Sequence, residues 1–190
     1  MTNEVIVGMG EALWDVLPEG KKIGGAPANF AYHVSQIGLD SYAVSATGGE
    51  ALGAELLENF DAKHINYLIE TVPYPTGTVQ VEIDQAGIPQ YEIKENVAWD
   101  NIPYTARLEA LAGRTRAVCF GSLAQRNVVS RSTINRFLDA MPHDDGSLIV
   151  FDVNLRQGFY NKDILCNSMK RCNILKINDE ELVTVSRMFG

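Results

Sequence analysis

Cysteine is scarce. The 190 residues contain three, Cys119, Cys166 and Cys172, an odd set with neither a metal-ligand spacing nor a disulfide framework, as suits a reducing cytosol. The three histidines, His33, His64 and His143, stand apart from one another and from any cysteine pair. They read as surface or partly packed residues, and no zinc site is implied. Positive charge is short as well: 16 basic against 24 acidic residues leave a net charge of −8. That balance argues against nucleic acid or an anionic membrane as the main partner, although local N–H groups and one or two cations can still hold a nucleotide. No apolar run approaches membrane-spanning length, and MTNEVIVGMG enters a short apolar strand without a basic flank, so a soluble cytoplasmic protein is expected. Two phosphate-binding signatures are missing. Gly8-Met9-Gly10 is followed by Leu13 where a dinucleotide fingerprint needs its third glycine, and Gly20-Lys21 lacks the glycine spacing of a Walker A loop. A nicotinamide-dependent enzyme built on Gly8-Met9-Gly10 is therefore the weakest reading.

Apolar residues are plentiful. At 46% of the chain they can fill one good core, or a core with a small appendage. Glu4 to Gly8 reads as a buried first strand and Ala12 to Leu17 as a second extended segment. Gly24-Gly25 is a turn, and Ala26-Pro27 opens a helix carrying Phe30, Val34 and Ile37 at helical spacing until Gly38. Tyr42, Val44 and Ala46 then alternate as a strand. Gly48 to Phe60 gives a loop and a helix with Leu52, Leu56, Leu57 and Phe60 on one face, and Asn66 to Glu70 a further strand. From Thr76 to Ile93 the period changes to two: Val79, Val81 and Ile83 alternate with polar residues, Gln85-Ala86-Gly87 supplies a turn, and the chain returns as a hairpin. With the segment 13–23 this hairpin makes a small sheet separate from the body. After Trp99, helices over Tyr104–Leu111, Ser130–Met141 and Lys162–Arg171 alternate with strands over Ala117–Phe120, Ser147–Asp152 and Asn173–Ile177. Such alternation predicts an α/β fold, a parallel sheet flanked by helices with ligands at the carboxyl ends of its strands.

Several polar residues stand where such a site would form. Asp15 precedes the Pro18-Glu19-Gly20 turn, and Asn29 lies in the first turn of the helix after Gly24-Gly25. Asp152, Asn154 and Arg156 follow the strand Leu148–Phe151, and Lys176, Asn178 and Glu181 follow Ile174-Leu175. Each has a bland account: a solvated carboxylate, a tight turn, an arginine paired with a neighbouring acid. For Asn178-x-x-Glu181 it is a helix cap with its capping-box partner.

The stretch GGAPANFAYHVSQIGLDSYAVSATGG, with VGMGEALWD before it and DVNLR and KINDEE after it, resembles the ribokinase-like (PfkB) family of carbohydrate kinases, in its fructokinase-type branch. The motifs lie in family order from Val7 to Glu181. Glu50 stands where the family usually has an aspartate. The resemblance implies a ribokinase-like parallel sheet flanked by helices, with the small sheet (about 13–23 and 76–95) as a lid over a sugar. The lid would exclude water from the transfer. It further implies that Asp15, Gly24, Gly25 and Asn29 bind the sugar, with Tyr91 stacking from the lid. Asp152, Asn154 and Arg156 would line the cleft, with Arg156 near the sugar or the transferred phosphate. Lys176, Asn178 and Glu181 would lie near the phosphates of ATP, Glu181 acting indirectly on Mg²⁺. The activity implied is ATP-dependent phosphorylation of a sugar hydroxyl, most simply that of fructose.

The family's Gly-Ala-Gly-Asp type loop, which supplies an anion hole and the catalytic aspartate, is not among these residues. The expectation is therefore of residues 1–190 as the N-terminal portion of a kinase domain, inactive alone and with an apolar sheet edge uncovered. The alternative is a non-catalytic sugar-binding or pseudokinase module. Pairing of lid edges between two copies would make a homodimer.

Overall fold

The computed structural model describes residues 4–83, 89–144 and 146–190. The turn read at Gln85-Ala86-Gly87 lies outside them. A six-stranded sheet forms the body, built from β1 (Val5–Met9), β4 (Ser41–Thr47), β5 (Asn66–Thr71), β8 (Thr115–Gly121), β9 (Leu148–Asp152) and β10 (Ile174–Lys176). Its order is β10-β9-β8-β1-β4-β5, and every neighbouring pair is parallel. Helices α1 (Ala26–Gln36), α2 (Ala51–Ala62), α3 (Ala106–Ala112), α4 (Val128–Ala140), α5 (Lys162–Arg171) and α6 (Asp179–Phe189) connect or follow these strands.

The strands are apolar on both faces because helices cover both. Along β4, Ala43 packs with Ala28 and Ala31 of α1 and Leu56 and Phe60 of α2. Its neighbour Val44 belongs to the cluster holding Leu108 and Leu111 of α3 and Ile134 and Phe137 of α4. One-residue alternation in a strand thus assigns side chains to two different helix layers. Gly8 sets how closely α1 can approach: a Cβ there would stand 2.0 Å from the Pro27 carbonyl oxygen. The bare position lets the start of α1 rest on β1, beside the carboxyl end of that strand.

The small sheet consists of β2 (Leu13–Leu17), β3 (Gly20–Gly24), β6 (Gly77–Ile83) and β7 (Pro89–Ile93), in the order β3-β2-β6-β7. It is mixed, with β2 and β6 parallel and the outer pairs antiparallel. It stands apart in topology yet shares the core, since Leu13, Val79 and Ile93 are buried among the residues of the main sheet. Where the chain leaves β7, Arg126 fastens it to the body. Its guanidinium donates to the Lys94 carbonyl at 2.6 Å and to both oxygens of buried Asp100 at 2.7 and 2.9 Å. It lies between the rings of Trp99 and Phe159, 4.1 and 4.4 Å from their centroids.

Boundaries shift from the sequence reading where a polar residue captures an N–H. Thr105 caps α3, so that helix starts at Ala106, and Asn127 caps α4, which therefore begins two residues before Ser130. At the far edge of the sheet Ile174 and Leu175 of β10 are exposed, as are Leu182 and Val183 of α6, in line with the expected apolar edge. All three histidines are exposed. No helix among the described residues is long and apolar enough to cross a membrane.

Candidate functional site

The strand order decides where a ligand fits. From β1 the chain builds outward through β4 and β5, then returns to the other side of β1 and builds β8, β9 and β10. Loops leaving β1 and β8 therefore diverge, and a crevice opens at their carboxyl ends. A cleft of about 720 Å³ occupies it, between this end of the main sheet and the small sheet. Its walls come from Glu11, Leu13 and Asp15 after β1, Gly25, Ala26 and Asn29 at the start of α1, and Leu123 after β8. The segment 154–157 after β9 and Val79, Tyr91 and Ile93 of the small sheet complete it.

Asp15 enters the cleft from β2. Burial pushes its carboxyl up from the ordinary value while the Arg156 guanidinium opposes the rise. Gly24, directly paired with Leu13 across the β2–β3 ladder, makes room for it: a Cβ on Gly24 would lie 2.2 Å from Asp15 Oδ2. Gly25 has φ +105°, and a Cβ there would lie 2.1 Å from the Glu11 carbonyl oxygen, so both the backbone angle and the close approach require glycine. Its own carbonyl accepts the Asn29 N–H at 3.0 Å, which sets the first turn of α1 and leaves the Asn29 side chain exposed at the cleft.

The segment after β9 turns sharply. Asn154 and Gln157 take φ of +42° and +47°, left-handed backbone that costs a non-glycine residue about 1 kcal/mol or more. This turn carries Arg156 to the cleft, where it forms no ion pair among the described residues; its Nη1 donates only to the adjacent Leu155 carbonyl. The bland account of an arginine paired with an acid is thereby corrected. Gln157 Nε2 donates to the Tyr91 carbonyl at 2.7 Å, joining this segment to β7 across the cleft, and Tyr91 itself is 57% exposed.

Asp15, Gly25, Asn29, Tyr91 and Arg156 thus line one cleft, with Gly24 behind Asp15. Lys176, Asn178 and Glu181 are not part of its lining. Lys176 Nζ donates to both oxygens of Asp152, at 3.0 and 3.1 Å, so Asp152, expected in the cleft wall, is instead the partner of a lysine beyond it. Asn178 caps α6: Glu181 N donates to its Oδ1 at 2.8 Å, and Asn178 N donates to Glu181 Oε2 at 3.1 Å. The other Glu181 oxygen accepts Leu155 N at 2.9 Å. Glu181 therefore links the turn after β9 to the start of α6, and the structural reading of Asn-x-x-Glu is realised in full. With both oxygens engaged by backbone, this carboxylate suits an indirect, water-mediated part at a cation better than direct ligation.

One charged residue of the cleft escaped the sequence reading. Glu11 is 2% exposed and its Oε2 has no hydrogen-bond partner among the described residues. Burial pushes its carboxyl up to about 7, Asp152 adds to the rise, and the N–H groups of Glu11 and Ala26 together with Arg156 oppose it. Its only signal in the sequence is an acid directly after the glycines that end β1.

Residues 18–189 match the pfkB family of carbohydrate kinases. The chain belongs to this family. A fructokinase of Salmonella typhimurium is 29% identical over 94% of this chain and 61% of its own length. An ATP-dependent 6-phosphofructokinase of Thermoanaerobacterium thermosaccharolyticum is 27% identical over 90% of this chain and 53% of its own. Among solved structures, an uncharacterized sugar kinase of Pyrococcus horikoshii in complex with ATP superimposes with a TM-score of 0.82 at 28% identity, covering 96% of this chain and 66% of that one. The chain spans about three fifths of the length of the curated relatives it matches.

Proposed function

We propose that the cleft binds a sugar, with fructose as the first candidate, and that the protein takes part in ATP-dependent phosphorylation of one of its hydroxyls. The observation that carries this reading is the convergence of Asp15, Asn29 and Arg156, from three separate segments, on one cleft at the switch point of a pfkB-family fold. The Asp15 carboxylate is an acceptor with several lone-pair sites, Asn29 both donates and accepts, and Arg156 only donates. Together they match a ring of hydroxyls, each of which can donate to one group and accept from another.

The small sheet serves as the lid. It brings Tyr91 over the ligand and excludes water, so that the phosphoryl group passes to the sugar and not to solvent. ATP supplies that group. The start of α6 and Lys176 are the residues of this chain best suited to its phosphates, and Glu181 to Mg²⁺ through water. Arg156, which forms no ion pair among the described residues, is the cation for the transferring phosphate. The aspartate that the resemblance assigns to taking the hydroxyl proton is not among residues 1–190, so this chain is expected to bind sugar without turning it over. A homodimer through the β3 and β7 edges of the lid is part of the same proposal.

A coupled assay of ADP release tests the chemistry. Residues 1–190 with fructose and ATP should give no sugar-dependent signal above background. Sugar-dependent ADP release by this chain would overturn the assignment of the base to residues outside it.

A further inference from the structure

Glu11 is the polar group of the cleft whose position the sugar reading does not explain. It lines the cleft, almost wholly shielded from solvent, with one carboxyl oxygen lacking any partner among the described residues. A buried acceptor left in this state is costly, and native structures rarely keep one without a use. An ionised carboxylate would be more costly still, since it would lose its hydration with nothing to replace it.

The groups facing it decide which form is held. From the end of β9, Asp152 is a like charge; from β8, Cys119 offers a thiol that is itself pushed up to about 12 by burial, Asp152 and Glu11. Against these stand the Arg156 guanidinium, the N–H of Ala26 at the start of α1 and the N–H of Glu11 itself. The remaining cation, Lys176, is engaged by both oxygens of Asp152. Asp15 lines the same cleft from β2.

We propose that Glu11 is a specificity-determining residue of this cleft, holding its carboxyl in the protonated form and donating an O–H hydrogen bond to an oxygen of the bound sugar. The inference rests on the sugar reading of the cleft and adds a donor to it. Asp15 accepts hydrogen bonds from ligand hydroxyls, while Glu11 and Arg156 donate to ligand oxygens. Each ligand hydroxyl can then be satisfied as donor and as acceptor at once. The ligand feature selected is an oxygen that accepts this bond, because a deoxy analogue without it would leave the Glu11 proton unpaired.

Calorimetric titration of the protein with D-fructose from pH 6 to pH 8 tests this. With the carboxyl titrating at about 7, a ligand that needs the proton binds about tenfold more weakly at pH 8 than at pH 6. Glu11→Gln keeps a neutral donor at every pH, and its affinity should be the same at both ends of the range. Asp152→Asn removes the like charge and should move the midpoint to lower pH; this keeps the inference testable should the Glu11 variant not fold. A wild-type affinity independent of pH, a dependence that persists in Glu11→Gln, or an unmoved midpoint in Asp152→Asn overturns the role of Glu11 and leaves the sugar reading standing. Absence of fructose binding at every pH overturns both.

Discussion

Gly24 and Asp15 form a matched pair. The carboxylate occupies space that any side chain on the facing strand would take, and a Cβ would meet its Oδ2 at 2.2 Å. Gly24→Ala should therefore displace the Asp15 carboxylate and weaken fructose binding by about tenfold, corresponding to the loss of a hydrogen bond to a charged group. The fold should persist, because the obstructed atoms are the ends of movable side chains. Calorimetry beside a thermal melt checks both halves. Glu11 makes a different statement, about stability. Its carboxyl is raised from 4.5 to about 7, so between those values the native protein keeps a proton that the unfolded chain releases. Stability from this group therefore falls as pH rises from about 4.5 to about 7 and is level above that. The fall is on the order of 3 kcal/mol. Denaturant unfolding at pH 5 and pH 8 should show it in the wild type, and Glu11→Gln should remove that part of the difference. Asp15 was legible through the resemblance, as an acid ahead of the Pro18-Glu19-Gly20 turn, and the structure places it in the cleft. Glu11 was not, because nothing local distinguishes a buried acid from a solvated one; its character comes from Asp152, 141 positions away in the chain, and from the closed wall around it.

Several helix starts marked by neighbours in sequence were readable, although those capped by Thr105 and Asn127 were not, and contacts made across space left no mark. The Asn178-Glu181 box marks the start of α6, Asn161 that of α5, and Pro27 beside the glycine turn that of α1. The strand–helix alternation gave the parallel sheet for the same reason. The fastening of the small sheet at Arg126 left no such mark: Asp100 is 26 residues away, and Phe159 arrives from after β9. This pair is buried, with side-chain exposures of 7% and 2%. Arg126→Ala strands the Asp100 carboxylate and empties the stack between Trp99 and Phe159. It should cost about 3–5 kcal/mol in denaturant unfolding, and amide exchange should rise first in the segment around Lys94. A loss below about 1 kcal/mol would mean that the pair does not hold the two sheets together.

At the scale of the whole molecule, six separated segments meet at one end of a parallel sheet because its strand order reverses beside β1. The main sheet and its helices form the floor of the cleft, and the small sheet lines it through Val79, Tyr91 and Ile93 and is joined to the turn after β9 by the bond from Gln157. Lys176 and the start of α6 lie beyond that floor, joined to it through Asp152 and through Glu181 to Leu155. The parallel sheet was legible from strand–helix alternation, and the resemblance named Asp15, Gly25, Asn29, Tyr91 and Arg156, which share the cleft; Glu11 was not legible, nor was the turn at Asn154 and Gln157 that no pattern of residue types announces. The central claim, that this cleft is a sugar site organised by Asp15, is tested most directly by calorimetric titration of the protein and of Asp15→Asn with D-fructose at pH 6. One saturable site per chain, weakened at least about tenfold in the variant, is the expected result. No saturable binding, or equal binding by both proteins, would contradict the account.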